Sequence, residues 1–234
     1  MNFTSQIKDA LKYTFKDWKS IVLLGIILCI ASTFEEWHTE NLLIRVILTV
    51  IALALIFIEE GYRYKIIKDT INGNNHPPFI GNYTKLIKDG FLETVTILIY
   101  AGTTWAIVQL YNNIIPTTSI SYIYLITLFI FALIIYLTIF GFAIYKALHK
   151  DRFLSAFNIF GILKLYYKIG LKQTIFLIIV GSISLDLIFT CVLNMSIFEP
   201  GKFLEFIISF FINPIILLFM TRLLALSGRK AISS

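Results

Sequence analysis

Charge is what this 234-residue chain has least of. Asp, Glu, Lys and Arg make up 15% of it, against 58% hydrophobic residues. Soluble domains sit near about 25% charged and 45–50% apolar. The excess apolar surface therefore has to face lipid or other helices, and the mean hydropathy of +0.82 says the same. There are two cysteines, Cys29 and Cys191, both inside apolar runs. A disulfide framework is not indicated, and buried thiols acting as small hydrophobes are the simpler reading. The histidines (His38, His76 and His149) are scattered and share no metal-ligand spacing with any cysteine. Gly-x-Ser-x-Gly, His-Glu-x-x-His and phosphate-cradling glycine loops are missing too. The sequence thus points to a non-enzymatic protein with no cofactor, no metal and no catalytic residues.

What is present is a series of long uncharged runs. A hydrocarbon core of about 30 Å takes about 20 helical residues. The runs are continuous rather than alternating, which favours helices over a transmembrane barrel. Six spans are expected, at about Ile21–Phe34, Asn41–Ile58, Phe91–Tyr111, Ile120–Leu148, Gln173–Met195 and Phe203–Thr221. The fourth is long enough to require tilt or protrusion. Span two should continue as helix through Lys68 and stop near Asn72-Gly73, where glycine suits a left-handed cap. His76-Pro77-Pro78 then enforces a loop. Residues 2–19 carry Ile7, Leu11, Phe15 and Trp18 at helical spacing among Lys8, Lys12, Lys16 and Lys19. That pattern predicts an amphipathic helix lying in the headgroup plane.

Basic residues set the orientation. With the N-terminus, the 63–88 and 146–172 connectors and the C-terminus on one side, eighteen of the twenty Lys and Arg fall there, leaving Arg45 and Lys202 opposite. The positive-inside rule makes that side cytoplasmic, with both termini in the cytoplasm of a multi-pass cell-membrane protein. Glu35, Glu36, Glu40, Glu199 and Glu205 all lie near the outer face in this arrangement. Topology accounts for the net charge of +6, so nucleic acid is not an expected partner. The lipid bilayer is one, with attraction to anionic headgroups on the cytoplasmic leaflet and a membrane protein partner as further expectations.

Ile7-Lys8-Asp9-Ala10 and Ile87-Lys88-Asp89-Gly90 stand 80 residues apart, and Lys168-Ile169-Gly170 follows at nearly the same interval. Thr14, Thr94 and Thr174 keep it, as do Gly61 with Gly141 and Gly81 with Gly161. A threefold repeat is predicted within one membrane domain, over about residues 1–80, 81–160 and 161–234. Each unit would be a cytoplasmic amphipathic helix and a helical hairpin, related by an axis along the membrane normal. The fold class is all-α.

The opening Ile7-Lys8-Asp9-Ala10-Leu11-Lys12-Tyr13 with Lys16-Asp17-Trp18-Lys19, and the central Gly61-Tyr62, Asn72-Gly73, Pro77-Pro78-Phe79 and Ile87-Lys88-Asp89-Gly90, resemble a family of multi-pass membrane proteins known mainly from archaea, domain of unknown function 4013. The resemblance implies membrane location and architecture and transfers no catalytic residues. Asn74, Asn75 and His76 stand where acidic residues are common in that family.

Four polar residues merit attention as binding candidates. Asp186 lies about 15 Å inside span five at 1.5 Å per residue, where a carboxylate is costly. Asn213, before Pro214, falls at similar depth in span six. Asp186 fits two roles: a protonated donor to Asn213 or to a carbonyl freed by Pro214, or a proton or cation site. Glu59 and Glu93 cluster with Glu60 at the cytoplasmic ends of spans two and three, and Glu59 is placed to pair with Arg63 at i,i+4. Three functions stay open on this reading: a scaffold that binds lipids or a membrane partner, a transporter of a small solute, ion or lipid, and an intramembrane enzyme.

Overall fold

The computed structural model describes residues 3–36, 41–114, 137–139, 141–180 and 207–233. Among them there is helix and no strand. The helices are α1 (Phe3–Thr14), α2 (Trp18–Glu36), α3 (Leu42–Ile71) and α4 (Tyr83–Ile114), then α5 (Leu137–Leu148). A 3-10 turn (Phe153–Phe157) and α6 (Ile159–Ile169) follow, then α7 (Leu171–Val180). A π-helical turn, Ile208–Ile212, runs directly into α8 (Asn213–Ser233).

Short polar side chains start these helices by accepting the N–H groups that a first turn leaves unpaired. The Asp17 carboxylate takes the Lys19 N–H at 3.1 Å and the Ser20 hydroxyl at 2.8 Å, which separates α1 from α2. The Asn41 side chain takes Leu43 and Ile44 at the head of α3. Asn158 takes Gly161 in α6. Helix α3 stops where expected, with Asn72 capping it and Gly73 at φ 96°.

Helices α3 and α4 form an antiparallel pair whose backbones touch. A Cβ on Gly61 would sit 2.0 Å from the Leu86 carbonyl, and one on Gly90 would sit 1.8 Å from that of Phe57. Small residues permit this approach. Helix α3 also packs on α2 and α8, and α1 packs on α8. The core lies along the second half of α3, the first half of α4, the inner faces of α5 and α6 and most of α8 from Leu218 to Ala231. The first half of α3 and the second half of α4 turn Leu42, Leu43, Val50, Leu98, Trp105 and Leu110 outward.

Three described helices are long and apolar enough to cross a membrane: Leu42–Ile71, Tyr83–Ile107 and Phe210–Ala231. Trp18–Ile30, Leu137–Leu148 and Leu171–Val180 are apolar but shorter. Much of the expected fourth and fifth spans lies outside the described residues, with Asp186 and Cys191 among them.

Two expectations are corrected. The helix of the sixth span does not stop near Thr221: α8 continues to Ser233, with Leu223, Leu224, Ala225 and Leu226 buried. The N-terminal helix ends at Thr14 rather than at Lys19, because Asp17 begins a new one. It docks through Gln6, Ala10, Tyr13 and Thr14, while Leu11, Phe15 and Trp18 face outward.

Candidate functional site

Two charged networks hold the buried half together. The first centres on Arg222, whose guanidinium is wholly buried in α8. It donates to Thr70 Oγ1 at 2.9 Å, to the Asn74 carbonyl at 2.7 Å, to Asp9 Oδ2 at 3.0 Å and to Asn75 Oδ1 at 3.1 Å. Its Cζ lies 4.3 Å from the centre of the Tyr13 ring, a cation–π arrangement strengthened by desolvation. Burial pushes the Tyr13 phenol well above its ordinary range, so it stays neutral. One side chain thus joins α1, α3, α8 and the loop after α3.

That loop contains Pro77-Pro78 and makes few regular backbone bonds, so its carbonyls need other donors. Tyr62 donates to Pro78 O at 3.0 Å, Lys65 to Phe79 O at 2.9 Å and Lys16 to Asn75 O at 3.2 Å. Phe79 is left standing outward, 80% exposed.

The second network begins with Glu93 of α4 and Lys146 of α5, a buried ion pair. The Lys146 ammonium lies 4.3 Å above the Tyr64 ring. The Tyr64 hydroxyl donates to Asp151 at 2.6 Å, and Lys68 pairs with the other oxygen of Asp151. Asp151 follows α5 in the left-handed region, φ 59°, and its N–H caps the Lys146 carbonyl at 3.1 Å. Lys146, Tyr64 and Asp151 therefore close a ring that fixes the end of α5 to α3. Burial raises the Asp151 pKa, but the hydrogen bonds from Lys68 and Tyr64 and the nearby Lys68 and Lys146 charges outweigh it. The carboxyl titrates below the usual carboxylate range.

The expected site residues fare unevenly. Glu93 is buried and bound to Lys146. Glu59 is half-buried in α3, and its expected pairing with Arg63 is corrected: Arg63 bonds Glu60 at 2.6 Å. Positions three and four apart both face one another on a helix, and the guanidinium takes the nearer carboxylate. Asn213 is half-buried where the π turn meets α8, and its N–H reaches Ile208 O. Asp186 lies outside the described residues. Pro214 has no N–H for the carbonyl four residues back, that of Phe210. This carbonyl lies against α2, where a Cβ on Gly25 would be 2.1 Å away. No group of three or more His, Cys, Asp or Glu among the described residues is arranged to hold a metal.

Sequence reasoning passed over Arg222, Lys146, Tyr13, Tyr64 and Asp151. Their partners are 53 to 213 residues distant, beyond any local pattern. The 80-residue interval held one signal: Tyr13, Glu93 and Gln173 share it, and each faces a cation. Tyr13 meets Arg222 and Glu93 meets Lys146. Gln173, with its amide turned to suit both neighbours, accepts from Lys230 at 2.9 Å.

The model of the family described as Protein of unknown function (DUF4013) matches residues 44–226. The chain belongs to that family. The matched span contains Glu93–Lys146, Asp151 and Arg222, and leaves out α1 with Asp9 and Tyr13. No curated protein and no solved structure matches the chain.

Proposed function

We propose that this DUF4013 protein is a non-enzymatic, membrane-embedded helical scaffold that binds lipids or a membrane partner through its cytoplasmic rim. It crosses the membrane six times as three hairpins, with both termini in the cytoplasm. The observation that carries this reading is where the charge goes. Arg222, Lys146, Lys68 and Lys65 are engaged in bonds that tie one helix or loop to another. Lys8 and Lys12 on α1 and Lys19 at the start of α2 stay exposed beside the outward Leu11, Phe15 and Trp18. Charge inside thus braces the bundle, and charge outside sits beside apolar residues at the level where headgroups meet water.

A threefold repeat is part of the proposal and has packing support. Gly61 abuts the backbone of Leu86, and Gly141, 80 residues on, abuts the side chains of Ile162 and Tyr166, the latter 80 residues beyond Leu86. The last helix, α8, packs on α1, as a third copy closing a ring would.

Transport of a small solute, ion or lipid is the second reading, favoured by the buried Glu93–Lys146 pair and the π turn before Asn213-Pro214. Such turns often mark functional sites. Affinity purification of tagged full-length protein from its native membrane in mild detergent, with mass spectrometry of bound protein and lipid, separates the two. A stoichiometric membrane partner or retained lipid is the expected result. Solute uptake into proteoliposomes that Glu93→Gln abolishes would replace the scaffold with a transporter.

A further inference from the structure

We infer that the outer face of α6 is a docking strip for anionic phospholipid headgroups, with Lys164 and Lys168 taking the phosphates and Phe160 and Tyr167 entering the headgroup layer. The inference rests on the membrane-embedded reading and adds the lipid class and the face that takes it.

Helix α6 buries Ile162, Leu165, Tyr166 and Ile169 in the core. A surface helix with one buried face ordinarily turns polar residues to water on the other. This one does not. Phe160 and Tyr167 are each 87% exposed, with Lys164 and Lys168 exposed beside them. The spacing i, i+4, i+7, i+8 puts all four on one strip. Acids are missing from the sequence between Arg152 and Lys172, so nothing near the strip in sequence offsets its positive charge.

Three physical terms converge on lipid. Aromatic rings prefer the interfacial layer. Lysine stems lie along apolar surface while the ammonium reaches the polar layer. The anionic cytoplasmic leaflet attracts juxtamembrane lysines. A protein partner fits less well, since lysine is depleted from the centres of protein–protein interfaces. Placement agrees: α6 stands between the apolar helices α5 and α7. Gly170, at φ 97°, breaks it from α7, so α6 need not share the direction of a crossing segment.

The test uses full-length protein in mild detergent, titrated with phosphatidylglycerol or phosphatidylcholine of identical acyl chains and read by native mass spectrometry. Phosphatidylglycerol should be retained about fivefold more per lysine, about 25-fold for the pair. Lys164→Gln with Lys168→Gln should erase that preference, and Phe160→Ser with Tyr167→Ser should weaken retention of both lipids. All four side chains are exposed, so the melting temperature of each double variant should match the parent and report an intact bundle. Equal retention of the two lipids, or a preference that survives loss of both lysines, overturns the inference. So does a stoichiometric protein that is bound through Phe160 and Tyr167. Release of the protein from membranes by alkaline carbonate would instead overturn the membrane-embedded reading beneath it.

Discussion

Asp9 and Arg222 are 213 residues apart in sequence and 3.0 Å apart in space. Their ion pair fastens the first helix to the last, and Arg222 also serves Thr70, Asn74 and Asn75. Removing one partner of a buried pair strands the other, at about 3–5 kcal/mol. Arg222→Met should therefore lower stability by that order, read as the thermal unfolding midpoint in detergent. Arg222→Lys should recover little of it, because an ammonium lacks the planar fork that reaches several acceptors. Asp9→Asn should be costly too, since it leaves the wholly buried Arg222 guanidinium without its counter-charge. A lysine variant as stable as the parent would mean that the hydrogen-bond fan is dispensable.

Glu93 and Lys146 offer a cleaner separation of pairing from burial. Glu93→Leu and Lys146→Met should each destabilise the protein, by about 3 kcal/mol or more for the unpaired charge left behind. The combined Glu93→Leu, Lys146→Met should lie much nearer the parent, within about 1–2 kcal/mol. Additive losses in the double variant would show that the two residues do not act as a pair.

Asp151 should give stability a pH dependence of known sign. Its pKa in the folded state is below the ordinary carboxylate value, so its contribution is present above about pH 4 and drains away as pH falls through the folded value. Unfolding midpoints of parent and Asp151→Asn should differ at pH 6 and converge as the pH drops below 4. A gap that stays constant over that range would remove the carboxylate charge as the cause.

Close backbone contact predicts opposite outcomes for four glycines. Alanine at Gly25, Gly61 or Gly90 puts a Cβ within 2.1, 2.0 or 1.8 Å of a carbonyl oxygen on a neighbouring helix. Each should destabilise the bundle by forcing backbones apart. Gly102 has nothing within 4 Å, and alanine there should gain up to about 1 kcal/mol of helix propensity. Melting temperatures of the four variants check both halves.

The apolar runs announced the helices, and Asn72-Gly73 marked the end of α3, because hydrophobic length and a left-handed cap are local properties. The docking of α1 was not legible in the same way. Its apolar stripe of Ile7, Leu11, Phe15 and Trp18 points to the headgroups, whereas Ile7 packs on the core and Gln6, Ala10, Tyr13 and Thr14 are buried against the protein. That face is recognisable only beside Arg222 and Ser227 of α8. Arg222 itself reads only as one of the basic residues of the C-terminus, since nothing within several residues of it is acidic. Glu93 was marked as a candidate from its position at a span end, and its partner Lys146 was counted only toward topology. Charges paired across 53 or more residues leave no periodicity to read.

The bond between Asp9 and Arg222 also orders events in time. Helix α1 leaves the ribosome with its docking surface not yet made. At about 5–20 residues per second, the 213 residues that follow Asp9 take about 10–40 s to synthesise. During that interval Gln6, Asp9 and Tyr13 have no α8 to meet. The final contacts of α1 must thus wait until α8 has been made.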